Sequence, residues 1–201
     1  MATFAFMGVA LDPFGGLPGV FTYGDARRLG ITDRRLYAAR DSGEVEMLGR
    51  GLYRRSTLTG DHDLLEIAAR APEATLCLGT ALAHHDLTDE IPQLIDVALP
   101  RARRHPIVNA PVRWHRFDPD TFELGRETLD VGDLVIGVYN AERTICDTFR
   151  LRHLEGPEQA IEALKRWLRR RGSQPSALLA MAQHFGPRAA KPIREALEIL
   201  L

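Results

Sequence analysis

The sequence predicts an α+β protein: an N-terminal winged helix-turn-helix over residues 1–58, then a mixed α/β domain with a C-terminal helical segment over residues 59–201. Three observations predict it. Two capped helical runs flank a tight turn near the start, a glycine-centred hairpin follows them, and strand-length apolar runs then alternate with amphipathic helical patterns. The 201 residues are 45% hydrophobic, enough for one large domain or two small ones to bury a core. Charged residues make up 26% and the formal net charge is -1, which excludes both a disordered polyelectrolyte and a basic field over the whole protein. Any nucleic-acid surface must therefore be local.

After the stretch PFGGLPG, Val20 and Phe21 lead to Thr22, an N-cap with Asp25 at the capping-box position. The predicted first helix runs from about Asp25 to Leu29, and Gly30 stops it. Ile31 is a buried turn residue. Thr32 caps a second helix over DRRLYAARDS, which ends at Gly43 in the position of a left-handed C-cap. Helices joined so tightly form a helix-turn-helix. Glu44 to Leu48 and Leu52 to Arg54 then read as strands around Gly49-Arg50-Gly51, a hairpin that makes the motif winged.

The charge balance points to the same segment. Residues 1–60 hold eight Arg against six acidic residues, whereas the remainder holds eighteen basic against twenty-one acidic. Arginine abundance alone carries no weight, because Lys occurs only at 165 and 191 and a GC-rich coding sequence explains the bias. Position matters more. At about 100° per residue, Leu36 and Ala39 face the core, while Arg34, Tyr37, Ala38 and Asp41 face away and Arg35 lies on the flank. The arginines thus sit at the helix end expected to enter a major groove, where a guanidinium can pair with guanine and Tyr37 can reach a phosphate or a thymine methyl. Arg40 is nearer the apolar side and is expected to pair locally or reach a phosphate. Arg27, Arg28, Arg50, Arg54 and Arg55 suit phosphates, which position a protein without reading sequence. Asp33 and Asp41 favour the competing reading of a protein-binding module.

The run GVFTYGDARRLGITDRRLYAARDSGEVEMLGRGLYRR resembles the N-terminal winged helix of the AbiE-type antitoxin family. Gly19, Phe21, Thr22, Gly30, Ile31, Leu36, Gly43, Arg50, Gly51 and Tyr53 occupy the positions of its pattern. TLCLGTALAHHDL is similar to the family's segment of small residues, with Gly79, Thr80, Ala81, Leu82, His85 and Leu87 at comparable places. In NAERTICDTFRLRH, Arg143, Thr144 and Asp147 match a further helix. The resemblance implies an antitoxin that represses its own operon by binding promoter DNA, expected at inverted repeats, and that counters a nucleotidyltransferase-like toxin. Other functions stay open: a stand-alone winged-helix transcription regulator, a protein-interaction module, or an enzyme that inactivates the toxin covalently, for example a protein serine kinase.

The domain boundary is expected in STLTGD, residues 56–61. Beyond it, Asp61 caps a helix HDLLEIAARA, and QLIDVALP, APVRWHRF and LVIGVY read as strands. The helix with Arg143 follows, and then helices at about 157–171, 176–185 and 190–200. No catalytic residue, metal site or cofactor is read from the residues. His84-His85-Asp86 has no second cluster at ligand spacing, His115 reads as a packed or surface histidine, and phosphate-binding glycine loops are absent. Arg143 and Asp147, four apart, read as an internal salt bridge. Arg169-Arg170-Arg171 complements a helix dipole, and Cys77 and Cys146 read as small buried hydrophobes. Without a spanning run or the basic start of a signal peptide, the expected location is the cytoplasm, with no membrane partner.

Overall fold

A computed structural model describes residues 12–201, apart from the side chains of 154 and 155. The stretch behind the signal-peptide reading lies largely outside the described residues. The N-terminal unit consists of β1 (Val20–Thr22), α1 (Tyr23–Arg28), α2 (Asp33–Asp41), β2 (Val45–Gly49) and β3 (Leu52–Arg55). Its three strands form an antiparallel sheet in the order β1-β3-β2. β1 was not anticipated, since three residues show no period and the strand exists only through pairing with β3. α1 begins at Tyr23, not Asp25. Thr22 itself is the N-cap: its hydroxyl accepts from the Asp25 N–H at 3.1 Å, and the Asp25 carboxylate accepts from the Thr22 N–H at 2.8 Å. Gly43, at φ +76°, takes the left-handed turn after α2. Phe14, Phe21, Leu36, Val45 and Tyr53 close a small core, with the Phe21 and Tyr53 rings stacked at 5.8 Å.

The second unit runs through α3 (His62–Arg70), β4 (Thr75–Leu76), α4 (Leu78–His84), β5 (Ile95–Pro100), β6 (Val112–Phe117), α5 (Pro119–Phe122), β7 (Arg126–Val131) and β8 (Leu134–Tyr139). It ends with α6 (Ala141–Arg150), α7 (Arg152–Glu155), α8 (Pro157–Leu168), α9 (Pro175–Gln183) and α10 (Pro187–Leu200). The sheet order is β6-β5-β4-β8-β7, with β5/β6 and β4/β8 parallel and the other pairs antiparallel. The three predicted strands are β5, β6 and β8. β4 is too short to show a pattern, and β7 is a charged edge strand whose RETLDV has little apolar content.

The last three helices are corrected at their ends. α8 stops at Leu168, with Arg169 as its C-cap, so Arg170 and Arg171 lie beyond the helix. α9 and α10 each start at a proline, which is pre-set for the first helical position. α6 packs against α4, α8, α9 and α10. Arg143 and Asp147 on α6 form the expected internal salt bridge, Nε to Oδ2 at 2.8 Å, both wholly buried.

Candidate nucleic-acid interface

α2 is held by its caps and by Leu36 and Ala39, which are 1% and 3% exposed, so its opposite face must point outward. Arg34, Arg35, Tyr37 and Ala38 are all exposed there. Among the described residues, no side-chain hydrogen bond or ion pair engages the guanidinium of Arg34 or Arg35. Together with Thr32, Ala38, Ser42 and Glu44 they line an open hollow of about 460 Å³ along the helix. Two unengaged cations at the start of an exposed helical face are what a groove reader needs.

The neighbouring arginines are more constrained. Arg40 pairs with Asp41 at 2.8 Å and lies 5.3 Å over the Tyr37 ring, the local pairing expected of it. Arg27 is 3.4 Å from Asp33, whose carboxylate also accepts from the Tyr23 hydroxyl at 2.7 Å. Asp33 is thus partly neutralised. Arg28 pairs with Asp25, whose carboxyl is lowered to about 2, first by its hydrogen bond with the Thr22 hydroxyl and then by the Thr22 N–H and Arg28.

On the wing, Arg50 is exposed at the hairpin tip. Arg54 is held inward: the register pairs Glu46 with Arg54 across the hairpin, and the guanidinium donates to Glu46 at 2.7 and 2.9 Å and to the Gly60 carbonyl at 3.2 Å. Arg55 reaches Asp12 at 2.5 Å. Phosphate contact by either would compete with these bonds, which leaves Arg50 as the cation projecting from the wing.

Sequence reasoning missed two clusters in the second unit. Glu66 on α3 is 1% exposed; its Oε2 accepts from the N–H groups of Asn109 and Ala110 at 2.8 and 3.0 Å, and its Oε1 accepts from Arg70 at 3.2 Å. The spacing of Glu66 and Arg70 by four was the available signal. Asp96 on β5, also 1% exposed, accepts from Arg113 at 2.5 and 3.0 Å and is 2.7 Å from the His115 ring nitrogen. Burial alone would raise its pKa, yet the bonds from His115 and Arg113 leave it lowered. These residues meet only because β5 and β6 pair in the register Asp96 to Arg113, which no local pattern reveals.

Other candidates are structural. His85 Nε2 is 2.7 Å from the Tyr139 carbonyl oxygen. Arg143 also donates to the carbonyls of Thr121 and Leu124 at 2.6 and 2.8 Å and lies against the rings of Tyr139 and Phe185. Cys77 and Cys146 are buried free thiols, and burial pushes the pKa of both up. Among the described residues, no group of three or more His, Cys, Asp or Glu is placed to hold a metal ion.

The N-terminal unit therefore has the winged helix-turn-helix arrangement of transcription regulators, with an arginine-bearing outer face on its second helix. Residues 15–56 match the family model described as transcriptional regulator, AbiEi antitoxin, which bears out the resemblance to AbiE-type antitoxins. The match spans both helices and the wing and ends before α3. In fold, the chain is similar to the RV2827C protein from Mycobacterium tuberculosis, whose crystal structure it matches with a TM-score of 0.54 and 19% identity, over 89% of this chain and 76% of that one. No curated protein matches the chain significantly. Among the described residues, no helix is long and apolar enough to cross a membrane.

Proposed function

We propose that this chain is a cytoplasmic antitoxin that binds the promoter of its own operon as an autorepressor and counteracts a nucleotidyltransferase-like toxin. Residues 1–58 carry DNA binding and residues 59–201 carry antitoxicity. The observation that supports the DNA half most is the pair Arg34 and Arg35, exposed and unengaged on α2 inside the segment that matches a regulator family. Arg34, Arg35, Tyr37 and Ala38 face base edges. Arg27, Arg28, Arg40 and Arg50 serve phosphates, and Arg54 does so only by leaving Glu46. Operator half-sites related by an inverted repeat would place two copies on adjacent turns of the duplex.

A mobility-shift titration with the DNA upstream of its gene tests the first half: saturable retardation that fades with added salt is expected, and none at low salt would overturn it. Co-expression with a neighbouring nucleotidyltransferase gene tests the second. Growth arrest by that gene alone, relieved by this chain, is the expected result, and arrest that persists with soluble chain present would overturn it.

A further inference from the structure

The segment between β5 and β6 carries Arg101, Arg103, Arg104 and His105 within five residues, all exposed. Three contacts fix its path. The Arg101 N–H donates to the Phe117 carbonyl at 2.8 Å, Arg103 Nε lies 2.6 Å from Glu73 Oε2, and the His105 ring stacks on Trp114 with centroids 5.7 Å apart. Among the described residues, no ion pair or side-chain hydrogen bond engages the guanidinium of Arg101 or Arg104. The backbone bond at Arg101 and the stacked His105 hold the two ends of the basic run, which lowers the ordering cost of binding.

Its location connects it to the wing. Arg103, Arg104 and His105 share one open hollow with Arg70, and Arg70 Nη2 donates to the Arg50 carbonyl at the wing tip at 2.8 Å. The basic segment is thus one side chain away from the hairpin that carries Arg50 at its tip. Glu66 fixes the same junction by holding both Arg70 and the N–H groups of Asn109 and Ala110.

We infer that Arg101 and Arg104 form a second phosphate-binding surface, which contacts the backbone of duplex DNA beyond the wing and extends the footprint past that of residues 15–56. The inference rests on the DNA-binding reading above. A polyanion is the partner that the charge fits. Glu73 is already neutralised by Arg103, and Arg116, two residues from Trp114 on the same face of edge strand β6, adds a further exposed cation.

The test is fluorescence anisotropy of the full chain on the DNA upstream of its gene, in a duplex of about 40 base pairs and over a range of salt concentrations. Each phosphate contact contributes about 0.9 to the slope of log affinity against log salt, so Arg101→Ala with Arg104→Ala should flatten that slope by about 2 and weaken binding about tenfold at moderate salt. Arg101→Lys with Arg104→Lys should keep the slope, because charge and not fork geometry is at stake. Both side chains are exposed and unengaged, so the thermal midpoint should not move. If wild type binds and the alanine variant keeps its slope and affinity, the second surface is overturned while the winged-helix reading stands. If wild type fails to bind at low salt, both fall. A loss confined to single-stranded RNA of the same length would reassign the surface to RNA and overturn it as well.

Discussion

Arg70 Nη2 donates to the carbonyl oxygen of Arg50 at 2.8 Å, so the end of the first helix of the second unit holds the tip of the wing in the N-terminal unit. The junction is apolar as well. Val20, Leu48 and Leu52 of the winged unit lie in one core with Leu65, Ile67 and Ala68 of α3 and with Val97 and Ile136 of the sheet. The two units approach closely at Gly49, where a β-carbon would overlap the Glu66 carboxylate and force it to shift from its bonds to Asn109, Ala110 and Arg70.

This packing predicts that the two units unfold together. Burying a Val or Leu side chain is worth about 1.5–3 kcal/mol, and cutting before residue 61 would re-expose the α3 side of that core. A fragment of residues 61–201 should melt well below the full chain, by calorimetry or circular dichroism. A fragment that melts at the same temperature would mean that the shared core contributes nothing.

Among the polar contacts at this junction, the buried Glu66 carboxylate gives the clearest test. Glu66→Ala leaves two backbone N–H groups and Arg70 without their acceptor, at a cost of about 2–4 kcal/mol. Urea unfolding should show a lower midpoint with an unchanged slope. A shift below about 0.5 kcal/mol would show that water replaces the carboxylate freely.

The buried pair on α6 behaves differently from a surface ion pair. Asp147→Ala would leave Arg143 buried without its counter-ion and should cost about 3–5 kcal/mol. Arg143→Met combined with Asp147→Leu should recover part of that loss, since an apolar pair avoids the desolvation penalty of the ions but leaves the carbonyls of Thr121 and Leu124 without their donor. Urea curves on the single and double variants decide it, and a double variant less stable than Asp147→Ala would contradict this account.

Acid should unfold the protein in a defined direction. The carboxyls of Asp25 and Asp96 lie below their ordinary values, so the native state binds fewer protons than the unfolded chain. Their contribution is present above about pH 4 and is lost as the pH falls through the folded values, that of Asp25 being about 2. Thermal midpoints should therefore fall from pH 5 toward pH 2, and Asp96→Asn should show a lower midpoint near neutrality but a shallower fall. Parallel curves for the two proteins would rule out Asp96 as a contributor.

What the sequence made legible is the part set by local rules. Thr22, Thr32, Gly43 and Gly51 announce caps and turns within a few residues, and the outer face of α2 follows from the positions of Leu36 and Ala39 alone. What it hid depends on partners distant in the chain. β1 exists only beside β3, Arg54 is withdrawn by Glu46 across the hairpin, and Asp96 meets His115 only once β5 and β6 are in register. STLTGD reads as a linker by composition, yet the chain on its two sides shares one core.

The most direct test of the central claim replaces Arg34 and Arg35 together by Ala in the full chain and measures binding to DNA upstream of its gene against mixed-sequence DNA. Each good guanidinium-to-guanine pair is worth about 1–3 kcal/mol of discrimination, so the preference for promoter DNA should collapse by at least about tenfold. Arg50→Ala, by contrast, should weaken both DNAs alike. The thermal midpoint should be unchanged, because neither Arg34 nor Arg35 is engaged by another described side chain. A double variant that binds promoter DNA as tightly and as selectively as wild type would contradict the assignment of α2 as the reading element.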